Sequence, residues 1–443
     1  MRWIVITAIL LILGVFLQMG YLVFALYVLL GILSMSNALA RHWANAIEAS
    51  RNSLRMKIEI GDEQTVTLEL RNSTRLGIPW VIFEETFPRA SMERVPPRLS
   101  LKGHRKGLGI TPLPAHATHH VAYTVTFKQR GYYQLGPLRV ETGDLFGLQR
   151  SFRILTSPQF VLVLPRILPL QRYDIASNRP LGETRITHRL LEDPTRIAAI
   201  RPYQPGDPLN QIHWRATART GALHSRVYEN SCVTGATLLL DFHQEAYQGS
   251  GQEVSTELAV TATASIAHAL FEEGHQVGLV SNGRDAAERI THEGWTGQFI
   301  QRTDAQRRAT TTRSNDRLRP VTVPTRKGAD QLTRILENLA RLELNDGLSF
   351  SQLIEEGSHL LPRDATVIPI LRNPTAEAAL VLGMLRRRGF EVTALLVQFG
   401  EGLQPDWAAT PSWAKPLVSE GIRFLTIASE SDLSDLSTHR FQG

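Results

Sequence analysis

From the amino terminus the chain is almost wholly apolar as far as residue 39: Trp3 to Leu17, an interruption at Gln18-Met19-Gly20, then Tyr21 to Leu39. A helix that crosses a bilayer needs about 20 such residues, so the run is too long for one span and just long enough for two. Gly20 beside Gln18 supplies a turn, and the pattern predicts a tight transmembrane helical hairpin over residues 1–40, with a short first arm. Arg2 precedes it, and Arg41, Arg51, Arg55 and Lys57 follow it. Positive charge on both flanks predicts a two-helix plasma-membrane protein with its soluble domains in the cytoplasm. Ala38-Leu39-Ala40 has the small residues of a signal-peptidase site, yet the apolar core of a cleaved signal is about 7–15 residues and this tract is far longer.

Residues 41–55 turn polar and basic and read as a short juxtamembrane helix or linker. Over 56–165 the period changes to two: Ile58, Ile60, Val66, Leu68 and Leu70 alternate with polar residues, as do Val121, Tyr123, Val125 and Phe127. Gly61-Asp62, Arg71-Asn72-Ser73 and Arg130-Gly131 punctuate the alternation, and strands so spaced predict an all-β sandwich of immunoglobulin-like architecture. Over 236–430, apolar runs at 236–241, 276–281, 365–371, 391–397 and 422–427 alternate with helical spacings such as Leu258, Ala262, Ile266 and Leu332, Ile335, Leu339. That rhythm predicts an α/β doubly wound domain with a mostly parallel sheet, leaving 431–443 as a C-terminal tail. Residues 284–327 break the rhythm with a polar stretch that includes Arg307-Arg308, Arg313, Arg317, Arg319 and Arg326-Lys327. A connection that long reads as a solvated loop, or as a docking surface for an acidic partner or lipid headgroups.

At 443 residues the chain exceeds one ordinary core, and a charged fraction of 20% beside 43% hydrophobic residues describes a folded protein. The net charge of +6 is modest for this length. Without a zinc-finger spacing, a recognition helix or a basic stripe interleaved with aromatics, no nucleic-acid partner is expected. The single cysteine, Cys232, excludes an internal disulfide and a cysteine-based metal cluster. It precedes an apolar strand and reads as a small buried side chain. There is no Gly-x-x-x-x-Gly-Lys-Ser/Thr loop for nucleotide phosphates.

The densest motif lies in the segment 166–235: Ile200-Arg-Pro-Tyr203-Gln-Pro-Gly206-Asp207-Pro-Leu-Asn-Gln-Ile-His213-Trp214-Arg215-Ala-Thr-Ala-Arg219. Pro-Gly fixes a turn and Asp207 can accept from backbone amides beyond it. Arg201, Tyr203, Asp207, His213, Trp214, Arg215 and Arg219 then form a set of donors and aromatic plates able to contact a partner or an anion. The structural account of the same residues packs Trp214 between sandwich and sheet, gives His213 and Asp207 to backbone groups, and pairs Arg215 or Arg219 with Glu229. His213 with Asp207 and Ser225 or Ser231 has the residue types of a hydrolytic triad, but no nucleophile elbow accompanies them. A second run, Arg130-Gly131-Tyr132-Tyr133 through Leu135-Gly136-Pro137 to Gly143-Asp144-Leu-Phe146-Gly147, reads as a hairpin closed by glycine turns.

Both runs resemble the bacterial domain-of-unknown-function family 58. The resemblance implies the order anticipated above: membrane hairpin, sandwich, then a von Willebrand factor A-like α/β domain. It also implies partners, an AAA ATPase of the MoxR kind and other membrane or envelope proteins, and hence a non-catalytic adaptor or assembly role, with lipid met through the hairpin. Functional von Willebrand factor A domains hold Mg²⁺ through Asp-x-Ser-x-Ser. Here the run is Asp241-Phe-His243-Gln-Glu245, and Ile370-Leu371-Arg372-Asn373 stands where a second Asp belongs. Asp241 is therefore the one candidate metal ligand of a degenerate site, and no cofactor is expected. Two alternatives remain: a metal-dependent enzyme using Asp241, His243 and Glu245 with Mn²⁺ or Zn²⁺, and a structural protein that organises lipid or envelope.

Overall fold

The computed structural model describes residues 2–52, 54–87, 97–103, 107–144, 149–170, 191–205, 209–231, 235–249, 251–293, 318–362, 365–398 and 415–434. They form two compact units. The first comprises 1–166, 283–319 and 336–344; the second comprises 167–282, 320–335 and 345–443.

In the first unit, α1 (Arg2–Phe16) and α2 (Gly20–Ala46) form the hairpin, with Gln18 in the left-handed conformation at its turn (φ 57°). Their side chains face outward over most of the length, Trp3, Phe16, Tyr21 and Phe24 among them. At 15 and 27 residues the arms are ~22 and ~40 Å long. Both are apolar, the second long enough to cross a bilayer and the first a shorter helix of the same kind.

The segment expected at 41–55 as a short helix or linker is helix only to Ala46 and strand from Ile47 to Arg51. Helix α2 runs to Ala46, and β1 (Ile47–Arg51) follows at once, antiparallel to β3 (Glu63–Asn72). The polar composition misled because Trp43, Ala46 and Ile47 are buried in the sandwich core while Arg41, Asn45 and Glu48 alternate with them toward water. The carbonyls that end α2 are capped from the sandwich: Arg153 Nη1 donates to Ala44 O at 2.9 Å, and Ser73 Oγ to Ala46 O at 2.9 Å.

The β-rich region begins with β2 (Lys57–Ile58), β4 (Ile78–Glu85), β5 (Leu99–Gly103), β6 (Leu108–Leu113) and β7 (Thr118–Phe127). It continues with β8 (Gly131–Leu135), β9 (Leu138–Gly143), β10 (Arg150–Ile154) and β11 (Gln159–Val163). They make sheets ordered β1-β3-β7-β5, β10-β9-β4-β6 and β2-β11-β8. The period-two positions point inward as anticipated except Ile60, which is exposed in the turn before β3: Val66, Leu68 and Leu70 of β3 and Val121, Tyr123, Val125 and Phe127 of β7 share one core with Val81 and Phe83 of β4. Each such side chain contributes about 1.5–3 kcal/mol by leaving water. Of the stretch expected as a long loop, β16 (Arg284–Asp285) and a helix over Ala286–Glu293 belong to this unit, β16 pairing with β18 (Leu342–Glu343).

The second unit holds a hairpin of β12 (Leu191–Pro202) and β13 (His224–Ser231) and a six-stranded sheet. The sheet is β14 (Gly235–Leu240), β15 (Gln276–Ser281), β17 (Val321–Arg326), β19 (Ala365–Leu371), β20 (Thr393–Val397) and β21 (Arg423–Ile427), in the order β17-β15-β14-β19-β20-β21. All neighbours are parallel except β17, which is antiparallel to β15. Numbered along the chain, this is the 3-2-1-4-5-6 order of a doubly wound sheet, with its switch point between β14 and β19. The anticipated strands appear within two residues of their expected bounds. The expected loop at 284–327 does not hold as such, because its end forms edge strand β17; Arg307, Arg308, Arg313 and Arg317 lie outside the described residues.

Helix Gln252–Glu272 is long and apolar enough for a membrane, yet Ala259, Val260, Ala262, Ala264, Ile266 and Leu270 are buried, so it is a core helix of the sheet unit. Helices Phe350–Gly357 and Ala376–Arg387 share another cluster with Leu239, Val367, Leu371 and Leu396.

Candidate functional site

The signature residues occupy the tip of the β12–β13 hairpin. Register pairs Arg201 with Ser225 and Pro202 with His224, and the chain between carries a 3₁₀ turn (Leu209–Gln211) and a one-to-two-turn helix, Trp214–Thr220. So short a helix has little stability of its own and depends on its ends. At the start His213 is the cap: its Nδ1 accepts from Ala216 N at 3.0 Å, while its own N–H donates to His224 O at 2.8 Å. At the end Gly221 takes the left-handed conformation (φ 73°) and donates to Thr217 O, and Thr217 Oγ1 accepts from His224 N at 3.1 Å. Tyr203 N donates to Leu223 O at 2.9 Å, closing the hairpin on its other side.

His213 therefore serves the backbone, as the structural account required. Trp214 does not follow that account: it is 66% exposed. Its place at the first helical position turns the indole outward, which hydrophobicity alone would not suggest. Arg215 and Arg219 are exposed and one helical turn apart, and among the described residues neither makes an ion pair or side-chain hydrogen bond. Arg201 and Tyr203 are half-buried nearby in the chain. Asp207 and the side chain of Glu229 lie outside the described residues. Among the described residues no triad forms: His213 Nδ1 is taken by the Ala216 amide and Ser225 Oγ is buried without a partner, while Asp207 and the side chain of Ser231 lie outside them.

Asp241 stands apart from this tip, at the carboxyl end of β14 beside the switch point, where open α/β sheets bind ligands. It is buried (5% exposed), and Oδ1 accepts from Asn282 Nδ2 at 2.9 Å and from His243 N at 3.2 Å. Burial pushes its carboxyl up, against the opposing effects of the Asn282 bond, the His243 amide and the His243 ring. Asn282 also accepts from Phe242 N at 2.6 Å and donates to Leu348 O at 3.1 Å, and Asn345 Nδ2 donates to Asn282 O at 3.2 Å. Sequence reasoning missed Asn282 and Asn345. Their signal was position, since Asn282 directly follows β15 at the same edge of the sheet.

The residues present do not fit an octahedral Mg²⁺. His243 Nδ1 faces the Glu245 amide at 3.4 Å, and Glu245 is exposed. Arg372 Nη1 donates to Tyr247 O at 2.7 Å and Asn373 Nδ2 to Ala246 O at 3.0 Å, so both bind the turn after Asp241 rather than framing an ion. Among the described residues no three His, Cys, Asp or Glu side chains stand together as a metal set, and Asp241, His243 and Glu245 do not converge.

The run that begins at Arg130 borders, through Leu135 and Gly136, a buried ion pair that sequence reasoning also missed. Arg51 Nη2 binds Glu85 Oε1, with both side chains almost fully buried. The same guanidinium donates to Leu135 O at 3.2 Å and Thr156 Oγ1 at 3.1 Å, joining β1, β4, the end of β8 and the β10–β11 loop. Gly136, at φ 83°, lies directly against it. Burial raises the Glu85 carboxyl to about 7 despite the opposing charge of Arg51. At the head of the run, Arg130 Nη1 donates to Leu339 O at 2.6 Å and Leu342 O at 2.9 Å, placing a cation at the carbonyl end of helix Ala329–Arg341.

Residues 199–302 match the family described as Protein of unknown function DUF58. The DUF58 match takes in the hairpin tip, β14, helix Gln252–Glu272 and β15, which hold both Trp214 and Asp241. The uncharacterized protein YeaD of Bacillus subtilis (strain 168) is 25% identical over 271 residues, which is 59% of this chain and 62% of that protein. The chain thus spans somewhat less than two thirds of that relative's length. Among solved structures, a CARDB domain from Pyrococcus furiosus is 11% identical with a TM-score of 0.17, covering 27% of this chain and 87% of its own. A Salmonella alpha-2-macroglobulin mutant is 14% identical with a TM-score of 0.19, covering 27% and 7%. Scores so low carry no argument about this fold.

Proposed function

We propose that this protein is a non-catalytic, membrane-anchored adaptor that holds a cytoplasmic partner through the β12–β13 tip. The observation that carries the reading is the exposure of Trp214 beside the exposed Arg215 and Arg219. A tryptophan kept for folding would be inside; one held outward at the start of a capped helix, just ahead of two exposed arginines, has the composition of an interface centre. The hairpin α1–α2 supplies the anchor, with positive flanks on the cytoplasmic side. Because α2 passes into β1 without a break, the anchor fixes the immunoglobulin-like sandwich rather than tethering it loosely.

In this reading the six-stranded unit is a von Willebrand factor A-like domain. Supporting it are the 3-2-1-4-5-6 order, the antiparallel edge strand β17 and Asp241 at the end of the first strand. Asp241 then serves as a hydrogen-bonded post for the turn after β14 instead of a metal ligand. The partner that the family resemblance suggests is an AAA ATPase of the MoxR kind. Crosslinking the full-length protein in its native cells, followed by purification in mild detergent, tests this. Such an ATPase is expected with wild type and is lost from folded Trp214→Ala and Arg215→Ala variants. Its absence with wild type would remove the ATPase from the account.

A further inference from the structure

The tip has a chemical bias that says what kind of partner it takes. Between Ala199 and Val227 the chain carries Arg201, Arg215, Arg219 and Arg226 against one acid, Asp207. The chain as a whole is close to balanced, with 48 Lys and Arg against 42 Asp and Glu. Apolar side chains emerge in the same tip: Leu209 at 72% exposed, Trp214, and, less fully, Ile200 and Leu223. None of these is on a frayed segment. Trp214 follows the capping residue His213, Leu223 is tied to Tyr203, and Leu209 opens a 3₁₀ turn that is followed by Ile212, which bridges to Ser225.

We propose that the tip binds an acidic protein segment bearing apolar anchor residues, which rests on the adaptor reading above and specifies its partner. Arg215 and Arg219 sit at i and i+4, on one face of the helix. Carboxylates one turn apart on a partner helix match that spacing, and bidentate arginine–carboxylate pairing rewards the match. The indole and Leu209 take the apolar anchors that centre such interfaces, and the arginines at the rim draw the acidic segment in and orient it. A lipid surface or a nucleic acid shares the anionic chemistry, but lacks discrete apolar side chains to place against four separate apolar positions.

The test uses the full-length protein in mild detergent and two labelled synthetic helical peptides, identical except that one carries Glu and the other Lys at i, i+4 positions flanking Leu and Trp anchors. The Glu peptide should bind at least roughly tenfold more tightly than the Lys peptide, and more weakly as salt rises. The double variant Arg215→Glu/Arg219→Glu should reverse the preference, and Trp214→Ala should weaken both peptides without changing it. Matching urea midpoints for variants and wild type show that folding is intact. Should folding of the Glu variants suffer, Arg215→Gln/Arg219→Gln must lose the preference instead. Equal affinity for the two peptides, or a preference indifferent to positions 215 and 219, overturns the proposal. So does arginine-dependent binding to phosphatidylglycerol bicelles or single-stranded oligonucleotide in place of the Glu peptide. If an ATPase is captured in cells but the Glu peptide fails, the adaptor reading stands and this inference falls; the converse result leaves this inference and removes the ATPase.

Discussion

Arg51, five residues beyond the end of α2, closes on Glu85 in the interior of the sandwich, where both side chains are almost fully removed from water. The strand that continues the apolar hairpin is thereby fastened to β4 by a charge pair, ionised above about pH 7, rather than by apolar packing alone. Removing one member of such a pair costs about 3–5 kcal/mol, because the other is left buried and unpaired. Arg51→Ala should therefore lower stability by an amount in that range at pH 8, where Glu85 is ionised in the folded protein, read from urea unfolding in detergent. A loss of under about 1 kcal/mol would show the pair to be energetically idle.

The same carboxyl makes stability depend on pH in an unusual direction. Its folded value of about 7 lies above its ordinary 4.5, so between those limits the folded protein holds a proton that the unfolded chain has released. The contribution is complete below about 4.5 and is lost as pH rises through about 7, amounting to about 3 kcal/mol. Unfolding midpoints measured from pH 5 to 8 should fall with rising pH in wild type. They should fall less in Glu85→Gln; equal slopes would place the titration elsewhere.

Gly136 shows why the Leu-Gly-Pro run takes a glycine. A Cβ there would overlap Arg51 Nη2 and come within 2.8 Å of Glu85 Oε1, and its φ of 83° disfavours any L side chain. Gly136→Ala should cost about 1–3 kcal/mol, whereas Gly221→Ala, with open space about its Cβ, should cost only the left-handed strain, ~1 kcal/mol. Comparable losses at both positions would contradict the steric account.

Much of this architecture was legible because periodicity reports burial. Val66, Leu68 and Leu70 at period two and Leu258, Ala262 and Ile266 at helical spacing each marked the buried face of the right element. Charged residues were harder to read. Arg51 reads in the sequence as a membrane flank, since nothing local tells a buried arginine from a surface one before its partner 34 residues away is placed. Trp214 erred the other way: composition sends a tryptophan inside, and only the capped helix start at His213 turns it out. At Asp241 the sequence reported correctly that serines were missing, but not that Asn282 would satisfy the carboxylate from the next strand.

That last bond carries its own prediction. Asn282→Ala leaves Asp241 Oδ1 short of a donor and the Phe242 amide without an acceptor, which should cost about 1–3 kcal/mol. Asp241→Asn keeps an oxygen to accept from Asn282 and the His243 amide, so it should be far milder. If Asp241→Asn were the more damaging of the two by chemical denaturation, the carboxylate itself would be required, for a cation or a charged partner group.

The account turns on whether the exposed tryptophan is a contact. A photoreactive phenylalanine analogue placed at 214 in the full-length protein, irradiated in native cells, tests that most directly, with the same analogue at exposed Met384 as the comparison. The account predicts a discrete protein adduct from position 214 that is absent from 384 and disappears when Arg215 and Arg219 are changed to Glu. No adduct at 214, or the same adducts from both positions, would contradict it.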